Sequence, residues 1–331
     1  MAAKSSCPAI TITIGILAIA FATYIGWACP PPSQRLREWV KTDSSYFTTR
    51  GRKIFYKDAY GEGKLELSGT ILLLHGFPTM SFDWIKMWPA LTKNFNRVIA
   101  VDFLGYGMSD KPIGHHYSLI EQANLVTDLL KMLQVDSFHI LSHDYGDSVA
   151  QELLARHNNG ETAYEIRSAC LLNGGMFKET NFPRPIQNLL TASPLAGDIL
   201  SLLSNRYIFG RGLSDVFGPN SQPSEEDLYD FWCGACHKEG YKSMAALLGY
   251  IGERSLHNTR WRKALQDSIA PIHVIYGPAD PVNPSGFIDF YKREIVNGSI
   301  DVLVEGVGHY PQWEDSETVT KLYLQFVASN L

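Results

Sequence analysis

The chain has 331 residues, a formal net charge of -5, 45% hydrophobic and 19% charged residues. This is ordinary globular composition with room for a large core, and it offers no basic stripe, which speaks against nucleic acid as a partner. Five cysteines (Cys7, Cys29, Cys170, Cys233 and Cys236) are too few and too scattered for a disulfide scaffold, and on their own they leave the compartment open.

From Ala9 to Ala28 the sequence carries no charge and is long enough, at about 1.5 Å per residue, to cross roughly 30 Å of hydrocarbon. Residues 9–28 therefore read as one N-terminal transmembrane helix, with Tyr24 and Trp27 where interfacial aromatics are expected. A cleaved signal peptide is the competing reading; Lys4 gives it only a weak basic start, and no convincing small-x-small site precedes Pro30-Pro31-Pro32. Arg35, Arg37 and Lys41 after the span outweigh Lys4 before it, which favours a cytosolic domain under the positive-inside rule.

The soluble part opens with an alternating stretch, Tyr46 to Tyr60, folded about Arg50-Gly51-Arg52 as a hairpin. Apolar runs at Thr70 to Leu74, Arg97 to Val101, Phe138 to Leu141 and Ser168 to Leu172 predict strands buried on both faces. Helical segments at Tyr117 to Leu133 and Gly146 to His157 lie between them. The alternation predicts a mostly parallel, doubly wound α/β sheet. The strand signal then stops from about Phe177 to Trp261, where helical stretches such as Ile186 to Leu203 and Glu225 to Trp232 take over. It resumes with Ile272 to Tyr276, Ser299 to Val304 and a last helix, Thr318 to Ala328. The expected organisation is a core over 44–176, a helical lid over 177–262 and a second core part over 263–331.

Three residues in chain order carry the chemistry. In Phe138 to Val149, FHILSHDYGDSV, a strand runs through Ser142-His143-Asp144-Tyr145-Gly146 into a helix, the pattern of a nucleophile elbow with Asp144 at its tip. A carboxylate there is already ionised and attacks carbon directly to give an ester. An Asp that merely caps the following helix is the alternative. Asp280, in Gly277-Pro278-Ala279-Asp280, and His309, in Gly306-Val307-Gly308-His309, follow later strands and supply an acid and a base for water. The loop His75-Gly76-Phe77-Pro78 follows the strand ending at Leu74; the backbone N–H groups of Phe77 and Tyr145 are the expected oxyanion donors.

Together HGFP, DFLGYGMSDKP, SHDYGD and GxGH resemble the epoxide hydrolase and haloalkane dehalogenase branch of the α/β-hydrolases. The resemblance implies that fold, a hydrolase activity on small apolar or lipid-like substrates and no cofactor or metal. It also implies lid tyrosines that protonate an epoxide oxygen, here Tyr250 with Tyr207 as the nearest second candidate; His75 and Tyr207 are the expected substrate-binding residues. Where dehalogenases carry a halide-holding tryptophan after the nucleophile, this chain has Tyr145. HGFPTMSFDW, GLSDVFGP and HYPQWED resemble more closely a group within this superfamily whose members carry an N-terminal membrane segment and are associated with the endoplasmic reticulum. A lipase-like or acyltransferase activity on the same fold, and a non-enzymatic membrane scaffold, are the alternatives.

Cys233-Gly234-Ala235-Cys236-His237 spells both a redox CxxC and a haem CxxCH, but it sits in the helical insertion without the context of either. Asn297-Gly298-Ser299 is a glycosylation acceptor if the domain is lumenal.

Overall fold

The computed structural model describes residues 29–63 and 69–330, with Ile12, Thr13, Gly15 and Leu17 before them. The expected span over 9–28 thus lies outside the described residues except for those four positions. Among the described residues no helix is long and apolar enough to cross a membrane.

Eight strands form one sheet: β1 (Ser44–Thr49), β2 (Arg52–Tyr60), β3 (Thr70–Leu74), β4 (Arg97–Val101), β5 (Ser137–His143), β6 (Glu165–Leu172), β7 (Ile272–Tyr276) and β8 (Ser299–Val302). Their spatial order is β1-β2-β4-β3-β5-β6-β7-β8. β1 and β2 form the expected hairpin, pairing Ser44 with Lys57 through Thr49 with Arg52. Its two-residue turn holds Arg50 and Gly51 at φ 51° and 73°, whose twist matches that of paired strands. β2 also pairs antiparallel with β4, and every later pairing is parallel.

Side chains alternate between two cores, as a two-faced buried sheet requires. Leu72, Ile99, Ile140 and Val274 pack on one face, and Leu73, Ala100, Leu141 and Ile275 on the other. The observed β8 stops at Val302, two residues before the expected end.

Between β6 and β7 the described chain is helical, as expected. The stretch Ile186 to Leu203 is two helices, Pro185–Thr191 and Pro194–Leu203, because Ser193 accepts from the Ala196 N–H and starts a new helix in front of Pro194. The helix Asn258–Gln266 straddles the expected boundary at 262, yet its side chains grip the core helix Tyr145–Asn158. Arg260 Nε donates to Glu152 Oε2 at 2.9 Å, and Trp261 Nε1 donates to the same oxygen at 2.9 Å. Upstream, Glu253 accepts from Ser118 Oγ and from the Leu119 N–H, each at 2.6 Å, so a lid carboxylate caps the core helix Leu119–Met132.

The segment before β1 is fastened to the lid. Cys29 is disulfide-bonded to Cys236, Tyr229 donates to the Pro31 carbonyl at 2.8 Å, and Arg35 meets Asp227 and Asp230 at 2.7 Å. Cys233, one helical turn before Cys236, is a buried free thiol, so the CxxC is not internally paired.

Candidate active site

β5 and the helix Tyr145–Asn158 meet at Asp144, whose φ of 45° and ψ of -104° lie outside the comfortable regions for an L-residue. Two glycines make the turn sterically feasible. A Cβ on Gly146 would lie 2.4 Å from the Leu74 carbonyl oxygen, and one on Gly76 would lie 2.4 Å from His143 Nδ1. Ser142, at the other flank, is small enough to fit and donates to Asp147.

The Asp144 carboxylate is buried and held at both oxygens. The Phe77 N–H donates to Oδ2 at 3.1 Å, and Arg254 Nη2 donates to Oδ1 at 3.1 Å and to the Asp144 carbonyl at 3.0 Å. Burial alone would raise its pKa, but His309 and Arg254 outweigh burial and hold it well below the usual carboxylate range.

His309 Nε2 lies 3.9 Å from Asp144 Oδ2, outside hydrogen-bond reach, so the two interact as charges. Its Nδ1 meets Asp280 Oδ2 at 2.9 Å. Asp280 in turn accepts from the Val282 N–H at 2.7 Å, from Asn173 Nδ2 at 2.9 Å and from Asn283 Nδ2 at 3.0 Å. Burial would depress the imidazole, but the Asp280 and Asp144 carboxylates win and push it up to about 10. Glu314 fixes the loop by accepting from the Gly308 and Tyr310 N–H groups at 2.8 and 2.9 Å.

Tyr250 closes the space above Asp144 from the lid. Its ring lies against Phe77 and Tyr145, the Arg254 guanidinium sits 4.5 Å from its centre, and Gln187 Nε2 is 3.5 Å from its hydroxyl. Burial and the neighbouring Asp144 raise its pKa, so the hydroxyl keeps its proton. Phe77, Asp144, Tyr250 and His309 line a cavity of about 120 Å³. Its walls are mostly apolar, with Phe209 and Leu213 among them, and Arg184 and Gln187 add polarity.

Two expected substrate contacts are not brought to this cavity. Both ring nitrogens of His75 are taken by backbone: Nδ1 meets the Gly76 carbonyl at 2.8 Å and Nε2 accepts from the Phe103 N–H at 3.1 Å. Fully buried and pushed down to about 4 by that burial, His75 is a neutral brace for the loop. Tyr207 is 57% exposed on the outer side of the helix Arg206–Ser214, because Phe209 and Leu213, four residues apart, turn the opposite face inward. Among the described residues no second lid tyrosine joins Tyr250 in the cavity lining; Gln187 is the group beside its hydroxyl.

The Tyr145 N–H belongs to the first turn of its helix, where backbone donors lack helical partners. The Tyr145 ring packs between Phe103, Tyr106 and Tyr250, outside the cavity lining. Arg254 was not anticipated from sequence; its one signal is the four-residue spacing from Tyr250, which puts both on one helix face. Among the described residues no group of three His, Cys, Asp or Glu side chains is placed to hold a metal ion.

Comparison with known proteins accords with this architecture. Residues 71–322 match the model of the alpha/beta hydrolase family. Over 324 residues the chain is 44% identical to the mesoderm-specific transcript homolog protein of Bos taurus, covering 96% of each chain. Among solved structures, a haloalkane dehalogenase DbeA-M1 loop variant from Bradyrhizobium elkanii superposes with a TM-score of 0.72 at 20% identity, covering 87% of this chain and 96% of that one. The epoxide hydrolase CorEH gives 0.68 at 24% identity, covering 86% and 99%. The chain belongs to the α/β-hydrolase family, alongside the mesoderm-specific transcript proteins.

Proposed function

We propose that the protein is a membrane-tethered hydrolase of apolar or lipid-like substrates that opens epoxides through an alkyl ester on Asp144. The observation that carries this reading is an ionised elbow carboxylate facing, across one small apolar cavity, a protonated lid tyrosine and a histidine paired with a second carboxylate.

Oδ2, held by one neutral N–H, is freed for attack more readily than Oδ1, which a guanidinium holds. In the first step Oδ2 bonds to an epoxide carbon, the C–O bond breaks, and the leaving oxygen takes the Tyr250 proton. In the second, neutral His309 takes a proton from water while the hydroxide adds to the ester carbon. Oδ1 carries the resulting negative charge against Arg254 and the Tyr145 N–H, while the Phe77 N–H stays on Oδ2, now the ester oxygen. Collapse releases the alkoxide, which takes the proton back from His309 to give the diol, and the carboxyl proton left on Asp144 returns to the Tyr250 phenolate, restoring both groups. The core-packed Tyr145 ring favours oxygen over halide as leaving group, since it offers the cavity no halide donor. Tethering rests on the uncharged stretch 9–28.

The test is intact-mass analysis of the His309→Gln protein after exposure to a microsomal lipid extract. An adduct that is absent from the Asp144→Asn, His309→Gln double variant is expected. Repeated absence of any adduct across varied extracts would turn the reading toward lipase-like chemistry or a scaffold.

A further inference from the structure

The outer face of the lid is unusually apolar. Ile186 and Leu189, then Leu195, Ile199 and Leu202, then Ile208 point outward from three consecutive helices; Leu195 is 72% exposed and Leu202 51%. Contiguous exposed apolar surface of this kind marks an interaction site. Charge on this face runs against that of the molecule. Between Phe182 and Ser214 the chain carries Arg184, Arg206 and Arg211 against Asp198 alone, in a protein of net charge -5.

The active cavity reaches the surface here, since Ile186 and Ile208 are both exposed and both line it. At about 120 Å³ the cavity holds the reacting end of a substrate, and a long apolar remainder must leave through this opening. The N-terminal segment also arrives at this face. Cys29 is bonded to Cys236, Tyr229 donates to Pro31, and Tyr229 shares a groove with Arg206, Tyr207 and Arg211, with Glu225 on its wall. The 20 uncharged residues 9–28 therefore join the domain beside the edge of the apolar face that carries Arg206 and Arg211.

We propose that this face docks on a lipid bilayer. The lid's apolar side chains enter the boundary between headgroups and acyl chains, Arg206 and Arg211 meet lipid phosphates, and the cavity draws its substrate directly from the bilayer. Arg211 already pairs with Asp215 at 3.2 Å, but both are exposed and water-screened, so that contact exchanges readily for a phosphate. The inference rests on the cavity's being a site for apolar substrates and is independent of the Asp144 ester.

The full chain, carrying the fluorescent residue acridonylalanine at position 195, 202 or 296, is added to phosphatidylcholine–phosphatidylserine vesicles containing brominated phosphatidylcholine. Val296 is the control, 83% exposed and outside the lid. Positions 195 and 202 should be quenched about two-fold or more and position 296 left unchanged. The Arg206→Glu, Arg211→Glu variant should show less quenching. Protein that floats with the vesicles while 195 and 202 stay unquenched overturns docking and leaves the tether standing; protein that does not float overturns both. A signal that follows protein concentration in place of lipid means that a second copy covers the face, and also overturns the proposal. Because no turnover is measured, loss of the Asp144 reading would not alter these outcomes.

Discussion

Arg254 Nη2 lies 3.1 Å from Oδ1 of Asp144, so a side chain of the lid grips the elbow carboxylate. The same guanidinium donates through Nε to Ser148 Oγ at 2.8 Å and stacks over Tyr250, joining lid, elbow and acid in one unit. Lid position and carboxylate orientation are therefore coupled.

This coupling has a measurable size. Removing one partner of a buried ion pair strands the other, at a cost of about 3–5 kcal/mol. Arg254→Met and Asp144→Asn should each destabilise by that order, and the double variant should cost clearly less than the sum in a denaturation double-mutant cycle. Without the guanidinium the Asp144 pKa should also rise, bringing an acid limb into the rate of ester formation. Additive stabilities would mean that the contact contributes nothing.

Tyr250→Phe removes the lid tyrosine hydroxyl that lines the cavity with Asp144 while keeping the ring contacts with Phe77 and Tyr145. Turnover of an epoxide should fall about 10²–10⁴-fold with KM little changed, as expected for loss of a general acid. Gln187→Leu, which removes the group beside that hydroxyl, should show a smaller loss in kcat. Steady-state kinetics on both variants distinguishes a proton donor from a wall of the cavity.

The pH behaviour of the two chemical steps should differ. In the resting site His309 is pushed up to about 10 against the effect of burial, because two carboxylates face it. Esterification neutralises Asp144, which lies 3.9 Å from His309 Nε2, and leaves Asp280 as the carboxylate facing the imidazole, so the imidazole pKa falls and the base becomes available only after the first step. Ester formation should be flat from roughly pH 6 to 9, where Asp144 is ionised and Tyr250 protonated. Ester hydrolysis should rise with pH along a curve centred below 10. Quenched-flow measurement of both steps checks this, and a hydrolysis limb still centred near 10 would contradict the charge coupling.

The parallel core was legible because its strands are short apolar runs between helical stretches: β3, β4 and β7 have the expected limits. Asp144, Asp280, His309 and Phe77 could be placed because each follows a strand that the sheet aligns. The lid resisted the same reasoning. Tyr207 and Tyr250 look alike in sequence, and only helix phase puts one outside and the other over Asp144. His75 has the residue type of a substrate contact, yet its orientation is set by Phe103, 28 residues away. Arg254 and the Cys29–Cys236 bond depend on contacts 110 and 207 residues apart, which no local pattern encodes.

That bond bears on the compartment. Disulfides persist in oxidising environments, whereas Arg35, Arg37 and Lys41 point to the cytosolic side. A bond between Cys29 and Cys236 forms and persists only on the oxidising side, so a lumenal domain is the expectation. Asn297 is exposed in the turn before β8, within an Asn-Gly-Ser acceptor, and would then carry a glycan. In cells the protein should shift on a gel after endoglycosidase treatment, and Asn297→Gln should abolish the shift. Cys29→Ser should lower thermal stability and release Pro31 from Tyr229, seen as faster proteolysis ahead of Gln34. An unglycosylated protein in which Cys29 reacts with thiol reagents would place the domain in the cytosol, with the bond reduced.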